Sequence, residues 1–261
     1  MNLEDILTSL NIPYRYIKED DLYIIEYEDK IGDVTLTGGI YIKPFNSIIY
    51  FLSILDNLPN NEVALKLLKY NLSMHGMAYA LMPNNAVSIL AVKLQQVISK
   101  STIKHVIEGI KYGTALYFKE TKPKLEINPN LIKPRYRPNT SDKYLEKLMN
   151  ILDTLNVNYE RENNTLEIVF KTFIHGFPYN LRISIKPVNG YIQFLSRMGI
   201  IIDSRMYRKL LELNFKSKGV YYAVDEENAF YQIASIEENE INSDFIKLIL
   251  DGFIKGASNI I

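Results

Sequence analysis

The feature that most constrains this chain is an internal repeat. IKPFN at 42–46 returns as IKPVN at 185–189, an offset of 143 residues. At the same offset LLKYNL (67–72) answers LLELNF (210–215), HGMAYAL (75–81) answers KGVYYAV (218–224), and EGIKYGTA (108–115) answers DGFIKGAS (251–258). LNIPY (10–14) and LNVNY (155–159) stand 145 apart, so the spacing shortens by only two residues across the unit. Chance words do not keep order in this way; one domain has been duplicated.

Whatever one copy folds into, the other must fold into as well. The repeat sets copy one at 1–118 and copy two at 142–261, with a connector at 119–141. That connector holds four of the ten prolines. Proline removes a backbone donor and biases the residue before it away from helix, so the connector is expected to run extended.

Copy two opens with Leu145, Leu148, Met149, Leu152 and Leu155 at helical spacing, with Ser141 or Asp142 placed to cap the first turn. Leu3, Ile6, Leu7 and Leu10 repeat the pattern in copy one. Three β-rich segments follow in each copy, then a Leu-rich middle helix near 60–72 and 203–215. A two-strand hairpin turns around PNN or DEEN, and a closing helix runs through Glu108 or Asp251. The predicted fold is α+β: two tandem domains, each helix, three strands, helix, two strands, helix, around an antiparallel sheet. The copies are expected to pack as an intramolecular pseudo-dimer through their middle helices or sheet faces.

The phrases LLELN, KGVYYAV, DEEN and FYQIAS in copy two, with LLKYN, HGMAYAL, PNN and AVSILAV in copy one, resemble the type III secretion chaperone-like fold, including its YbjN-like relatives. The likeness spans both copies but not the connector. It implies a binding module without catalysis, since members of that family are mostly small acidic proteins that bind partner polypeptides, often as dimers. This chain departs from them in being duplicated and neutral.

Hydrophobic content of 47% with 23% charged residues belongs to a folded globular protein. The 30 basic and 30 acidic side chains cancel, which leaves no overall field to drive binding to nucleic acid or an anionic membrane. The excess is local: residues 119–141 carry 6 basic and 2 acidic side chains, while each copy is slightly acidic. With no cysteine, disulfides and thiolate chemistry are excluded. MNLEDILTSL lacks the basic start of a signal peptide and no apolar run reaches membrane-span length, so a soluble cytoplasmic protein without a membrane partner is expected.

Few residues carry chemistry. Three histidines, His75, His105 and His175, without an HExxH pattern or cysteine, are read as core-edge or solvated side chains, and no metal, cofactor or catalytic group is expected. Gly109 with Gly113 and Gly252 with Gly256 are read as close-packing positions, because glycine inside a helix costs about 1 kcal/mol. Asn71 and Asn214 are read as helix-end caps, and Asn85 and Asn228 as hairpin-turn residues. In IKPFN and IKPVN the proline is read as the first corner of a turn that Asn completes. The best partner is a protein or peptide, met by hairpin tyrosines Tyr221 and Tyr231 and by a basic helix face, Arg205, Arg208 and Lys209, that copy one lacks. The alternative is nucleic acid, met by Lys133, Arg135, Tyr136 and Arg137 in the connector together with that face. The assembly is expected to be a monomer with pseudo-dimeric halves or a homodimer.

Overall fold

The computed structural model describes residues 2–133, 142–174 and 176–260. Copy one runs α1 (Leu3–Ser9), β1 (Arg15–Ile17), β2 (Leu22–Ile31), β3 (Val34–Phe45), β4 (Ile48–Asn57), α2 (Asn61–Asn71), β5 (Met77–Leu81), β6 (Ala86–Leu94) and α3 (Lys100–Thr121). Copy two repeats this as α4 (Asp142–Thr154), β7 (Tyr159–Glu162), β8 (Thr165–Ile174), β9 (Phe177–Val188), β10 (Tyr191–Ile200), α5 (Arg205–Lys216), β11 (Tyr221–Val224), β12 (Ala229–Glu237) and α6 (Ser243–Ile260). The α+β architecture follows the repeat, with one addition. Each copy has a short first strand, β1 or β7, whose few and mostly exposed residues offer no apolar alternation to read.

Each copy builds a six-stranded antiparallel sheet, in the order β1-β2-β3-β4-β6-β5 and β7-β8-β9-β10-β12-β11. Short polar side chains start the helices. Asn2 and Asp5 form a capping box on α1, Asn60 accepts from the Val63 amide at 2.9 Å on α2, and Ser99 accepts from the Thr102 amide at 3.1 Å on α3. The Ser141 or Asp142 cap expected for α4 lies outside the described side chains.

The closing helices lie close on their sheets, as the glycine pairs require. A methyl group at Gly109 would sit 2.0 Å from the Met77 side chain, and one at Gly256 would sit 2.0 Å from the Gln232 amide. Tyr79 donates its hydroxyl to the Gly113 carbonyl at 2.5 Å, and Tyr222 to that of Gly256 at 2.9 Å. These glycines are where a strand tyrosine reaches the helix backbone.

Two expectations are corrected. The connector does not run extended throughout: α3 continues to Thr121, and Pro129–Ile132 winds into a 3-10 turn. Ile127 and Ile132 pack with Ile31, Leu36 and Ala115 of copy one, and that burial holds the segment against the domain. The proline of each IKPxN phrase is also not a turn corner. Pro44 and Pro187 lie within β3 and β9, paired on one side to β4 and β10. The flanking strands β2 and β8 end before reaching them, so no donor is missed. The turns are two residues long, with Asn46 and Asn189 at φ 55° and 50°.

The copies share their interior. Strands β5 and β6 are buried along their whole length, and β11 and β12 nearly so, because each hairpin is covered by its own helices on one face and by the other copy on the other. Leu210, Leu211, Tyr222 and Phe230 of copy two join the core of copy one, while Ile48, Ala78, Leu90 and Val92 of copy one join that of copy two. Helix α5 packs on β5, α2 on β11, and the two helices on each other. The pseudo-dimer therefore uses both middle helices and sheet faces.

Candidate functional site

At the centre of the interface two sheet edges approach each other. β5 and β11 are edge strands, and an edge presents backbone groups that need partners once buried. Asn71 supplies them on one side: its Oδ1 accepts from the Tyr79 amide at 2.8 Å, and its Nδ2 donates to the Tyr79 carbonyl at 3.3 Å and across the boundary to that of Tyr222 at 3.1 Å. Asn214 mirrors it, accepting from the Tyr222 amide at 2.6 Å and donating to the carbonyls of Tyr222 at 3.1 Å and Tyr79 at 3.0 Å. Both asparagines sit buried within their helices, and Leu72 rather than Asn71 is the C-cap of α2. The helix-cap reading is thus replaced by an amide clamp on two strand edges. A helix-end asparagine looks the same in sequence whether it caps or clamps; only the burial of its far side separates the two.

Beside the clamp the pseudo-symmetry breaks. Lys93 on β6 donates to Glu240 of copy two at 2.9 Å, with both side chains out of solvent (1% and 0% exposed), and Glu240 also accepts from the Glu237 amide at 2.9 Å. His75 stacks on Tyr191 of copy two with ring centroids 4.8 Å apart and planes 12° apart. The Tyr191 hydroxyl lies 2.5 Å from Nε2 of His105. Burial holds His75 neutral by lowering its pKa from the ordinary value of 6.5 to about 4.

Tyr191 and His105 line a cleft of about 600 Å³ between α3, the connector and the β9–β10 turn. Its lining includes Lys104, Glu108 and Lys111 from α3, Lys133 from the connector, and Asn189 and Glu237 from copy two. Carboxylates from both copies face it, the arrangement most able to suggest acid–base chemistry. Asp29 is paired with Lys111 at 3.1 Å and Glu108 with Lys104 at 3.8 Å, so those two are neutralised by neighbours. Among the described residues no cluster of three metal-ligating side chains occurs.

The residues expected to meet a partner do not form one surface. Tyr221 is 3% exposed, packed in the copy-two core with Tyr50 and Val92 of copy one, so its alternate position on the strand faces the other copy instead of solvent. Tyr231 is half-buried and donates to Asp225 at 2.9 Å. Arg205, Arg208 and Lys209 are exposed on α5, with Arg205 paired to Asp203 at 2.5 Å and Arg208 to Glu212 at 3.2 Å. Of the connector residues, Lys133 lines the cleft, while Arg135, Tyr136 and Arg137, like His175, lie outside the described residues.

Sequence reasoning missed a set of exposed apolar side chains on copy two. Phe173 is 71% exposed, Phe177 74%, Ile200 60% and Ile202 98%, with Val169 also exposed. Phe173 and Phe177 stand at the β8–β9 hairpin but on opposite faces, since Phe177 pairs with Ile174 and Phe173 with Pro178; Val169 lies midway along β8, and Ile200 and Ile202 at the outgoing end of β10. At the 143-residue offset copy one has Lys30, Val34, Asn57, Pro59 and Glu26. The signal was available in the repeat: subtracting one copy from the other finds positions where only one copy is apolar.

No protein-family model matches the chain, and no curated protein is similar to it in sequence. Among solved structures, a chain of the heterodimeric ExoU-SpcU complex from the type III secretion system of Pseudomonas aeruginosa is similar at 13% identity and TM-score 0.36, over 46% of this chain and 98% of that one. A chain of the HopA1-SchA chaperone-effector complex is similar at 10% identity and TM-score 0.35, over 45% and 92%. A chain from the Yersinia pestis complex of the type III secretion chaperone SycH with a stable fragment of YscM2 is similar at 16% identity and TM-score 0.33, over 45% and 99%.

Proposed function

We propose that this chain is a non-catalytic protein-binding module of chaperone or adaptor type, in which the duplicated fold supplies a rigid frame and copy two supplies the contact surface. The supporting observation is that copy two exposes five large apolar side chains, Phe173 and Val169 on one face of the β8–β9 hairpin, Phe177 on the other, and Ile200 and Ile202 at the outgoing end of β10, at four of whose positions copy one is polar or proline. Single apolar residues need no explanation, but five large ones exposed on one copy, at positions where the other copy is mostly polar, have the composition of contact surface. The surfaces through which two such units would pair are already buried against each other, which supports a monomer presenting those side chains to its partner.

The test is affinity capture from nuclease-treated native lysate with quantitative mass spectrometry, comparing the wild type with a variant in which Phe173→Lys, Phe177→Ser, Ile200→Asn and Ile202→Ser remove the surface. Proteins enriched by the wild type and lost from the variant, while an Arg205→Ala, Arg208→Ala, Lys209→Ala control keeps them, support the reading. Capture that is indifferent to the apolar exchange, or that appears only in a parallel lysate left without nuclease, overturns it.

A further inference from the structure

The duplication provides its own picture of what the end of copy two can hold. In copy one the inner face of the β2–β3 hairpin beyond the core carries Ile31, Val34 and Leu36, and α3 contributes Ala115. The connector covers them with Ile127 and Ile132, and Pro129 is buried in the same segment. The corresponding residues of copy two are Ile174, Phe177, Tyr179 and Ser258. Ile174 is buried at the edge of the copy-two core, Tyr179 is half-buried against it, Ser258 is exposed, and Phe177 stands 74% exposed. One seat is covered; at its duplicate Ile174 is already buried, Tyr179 and Ser258 replace Leu36 and Ala115, and Phe177 stands exposed where copy one has Val34.

We propose that this hairpin end of copy two receives a proline-interrupted aliphatic segment of a partner polypeptide, seated as Ile127–Ile132, with its 3-10 turn, is seated on copy one. Three observations fix the chemistry of the occupant. The open seat continues directly from the copy-two core, so an aliphatic side chain entering it extends an existing apolar cluster. Its copy-one equivalent holds two isoleucines five residues apart with a proline between them, a segment that is stiff and costs little entropy to order. The chain's own connector is not available to do this for a second molecule, because Ile127 is buried where it stands.

The inference rests on the protein-binding reading and narrows it to one seat and one kind of segment. Its test uses the full chain and a fluorescein-labelled synthetic peptide with the sequence of residues 124–133, KLEINPNLIK. Anisotropy should show saturable binding, lost when both isoleucines flanking the proline are replaced by serine. Phe177→Ser should weaken binding about tenfold, as expected for removing most of one buried aromatic side chain, whereas Val34→Ser in the filled seat should leave it within about twofold. Circular dichroism melts confirm that both variants fold. The proposal is overturned if the peptide does not bind, if binding ignores Phe177, if photo-crosslinks from the peptide fall on Ile31 and Leu36 instead of copy two, or if sedimentation shows that a second copy of the chain covers the seat. Loss of lysate capture in the four-residue variant together with a peptide indifferent to Phe177 would remove this inference and leave the broader function standing.

Discussion

The two sides of the pseudo-two-fold axis differ although the copies that make them share one fold. On one side stand Lys93, Glu240, Tyr191 and His105; their equivalents on the other are Ile236, Val97, Ile48 and Leu248, which all belong to one apolar cluster. A true homodimer must place the same residues at both sites. Two halves in one chain are free of that constraint, and here one contact is charged and polar while its counterpart is hydrophobic. The central clamp, Asn71 with Asn214, kept its symmetry, because each strand edge still needs an amide facing it. Symmetric residues therefore report the fold, and asymmetric ones report where the two halves differ.

The sharpest way to break this comparison is through the buried ion pair. Lys93→Met leaves Glu240 charged and uncompensated at 0% exposure, and should cost about 3–5 kcal/mol in denaturant unfolding. Adding Glu240→Gln should return most of it, since the polar side then resembles its apolar twin and Gln still accepts from the Glu237 amide. A double variant as unstable as the single one would show that the pair is not interchangeable with apolar packing.

His75 gives the next effect, and it is read by pH. Its folded pKa, about 4, lies below the ordinary 6.5, so above pH 6.5 it is neutral in both states and contributes no pH dependence. As pH falls from 6.5 to 4 the unfolded chain binds a proton that the folded chain refuses, and stability drops by about 3 kcal/mol, with no further loss from this group below pH 4. His75→Gln should flatten that part of the profile. The copy-two equivalent, Lys218, makes no such stack, so Lys218→Gln should leave the slope unchanged.

Replacing Asn71 or Asn214 with Ala should each cost about 2 kcal/mol, because buried strand amides and carbonyls lose their partners. The two amides share both tyrosine carbonyls, so the double variant should depart from additivity by at least about 0.5 kcal/mol. Additive losses would mean that the clamps act as two separate caps.

How much of this was legible in the sequence divides along the same line. Duplication exposed the element order, the helix-on-sheet glycines and the packing of two like units, since each is stated twice and rests on local periodicity. The roles of Asn71 and Tyr221 were not legible, because what faces them comes from the other copy, about 150 residues away in sequence for the Asn71–Tyr222 bond. Pro44 was misread for a similar reason: whether a strand proline is tolerated depends on where the neighbouring strand stops. The open hairpin seat escaped because apolar strand residues look alike in sequence whether or not anything covers them.

The smallest effect tests the phrase that marks the repeat. Asn46 and Asn189 hold φ of 55° and 50° in equivalent two-residue turns, a region that costs most L-residues about 1–2 kcal/mol and asparagine less. Asn46→Ala should therefore lose about 1 kcal/mol, and Asn46→Gly should stay within about 0.5 kcal/mol of the wild type. Asn189→Ala and Asn189→Gly should behave alike if that turn is scaffold only. Asn189, however, also lines the cleft between the copies, whereas Asn46 does not. A glycine variant that preserves the turn yet destabilises only at position 189 would show that its side chain does more than shape the hairpin, and would add the turn to the asymmetric side of the interface.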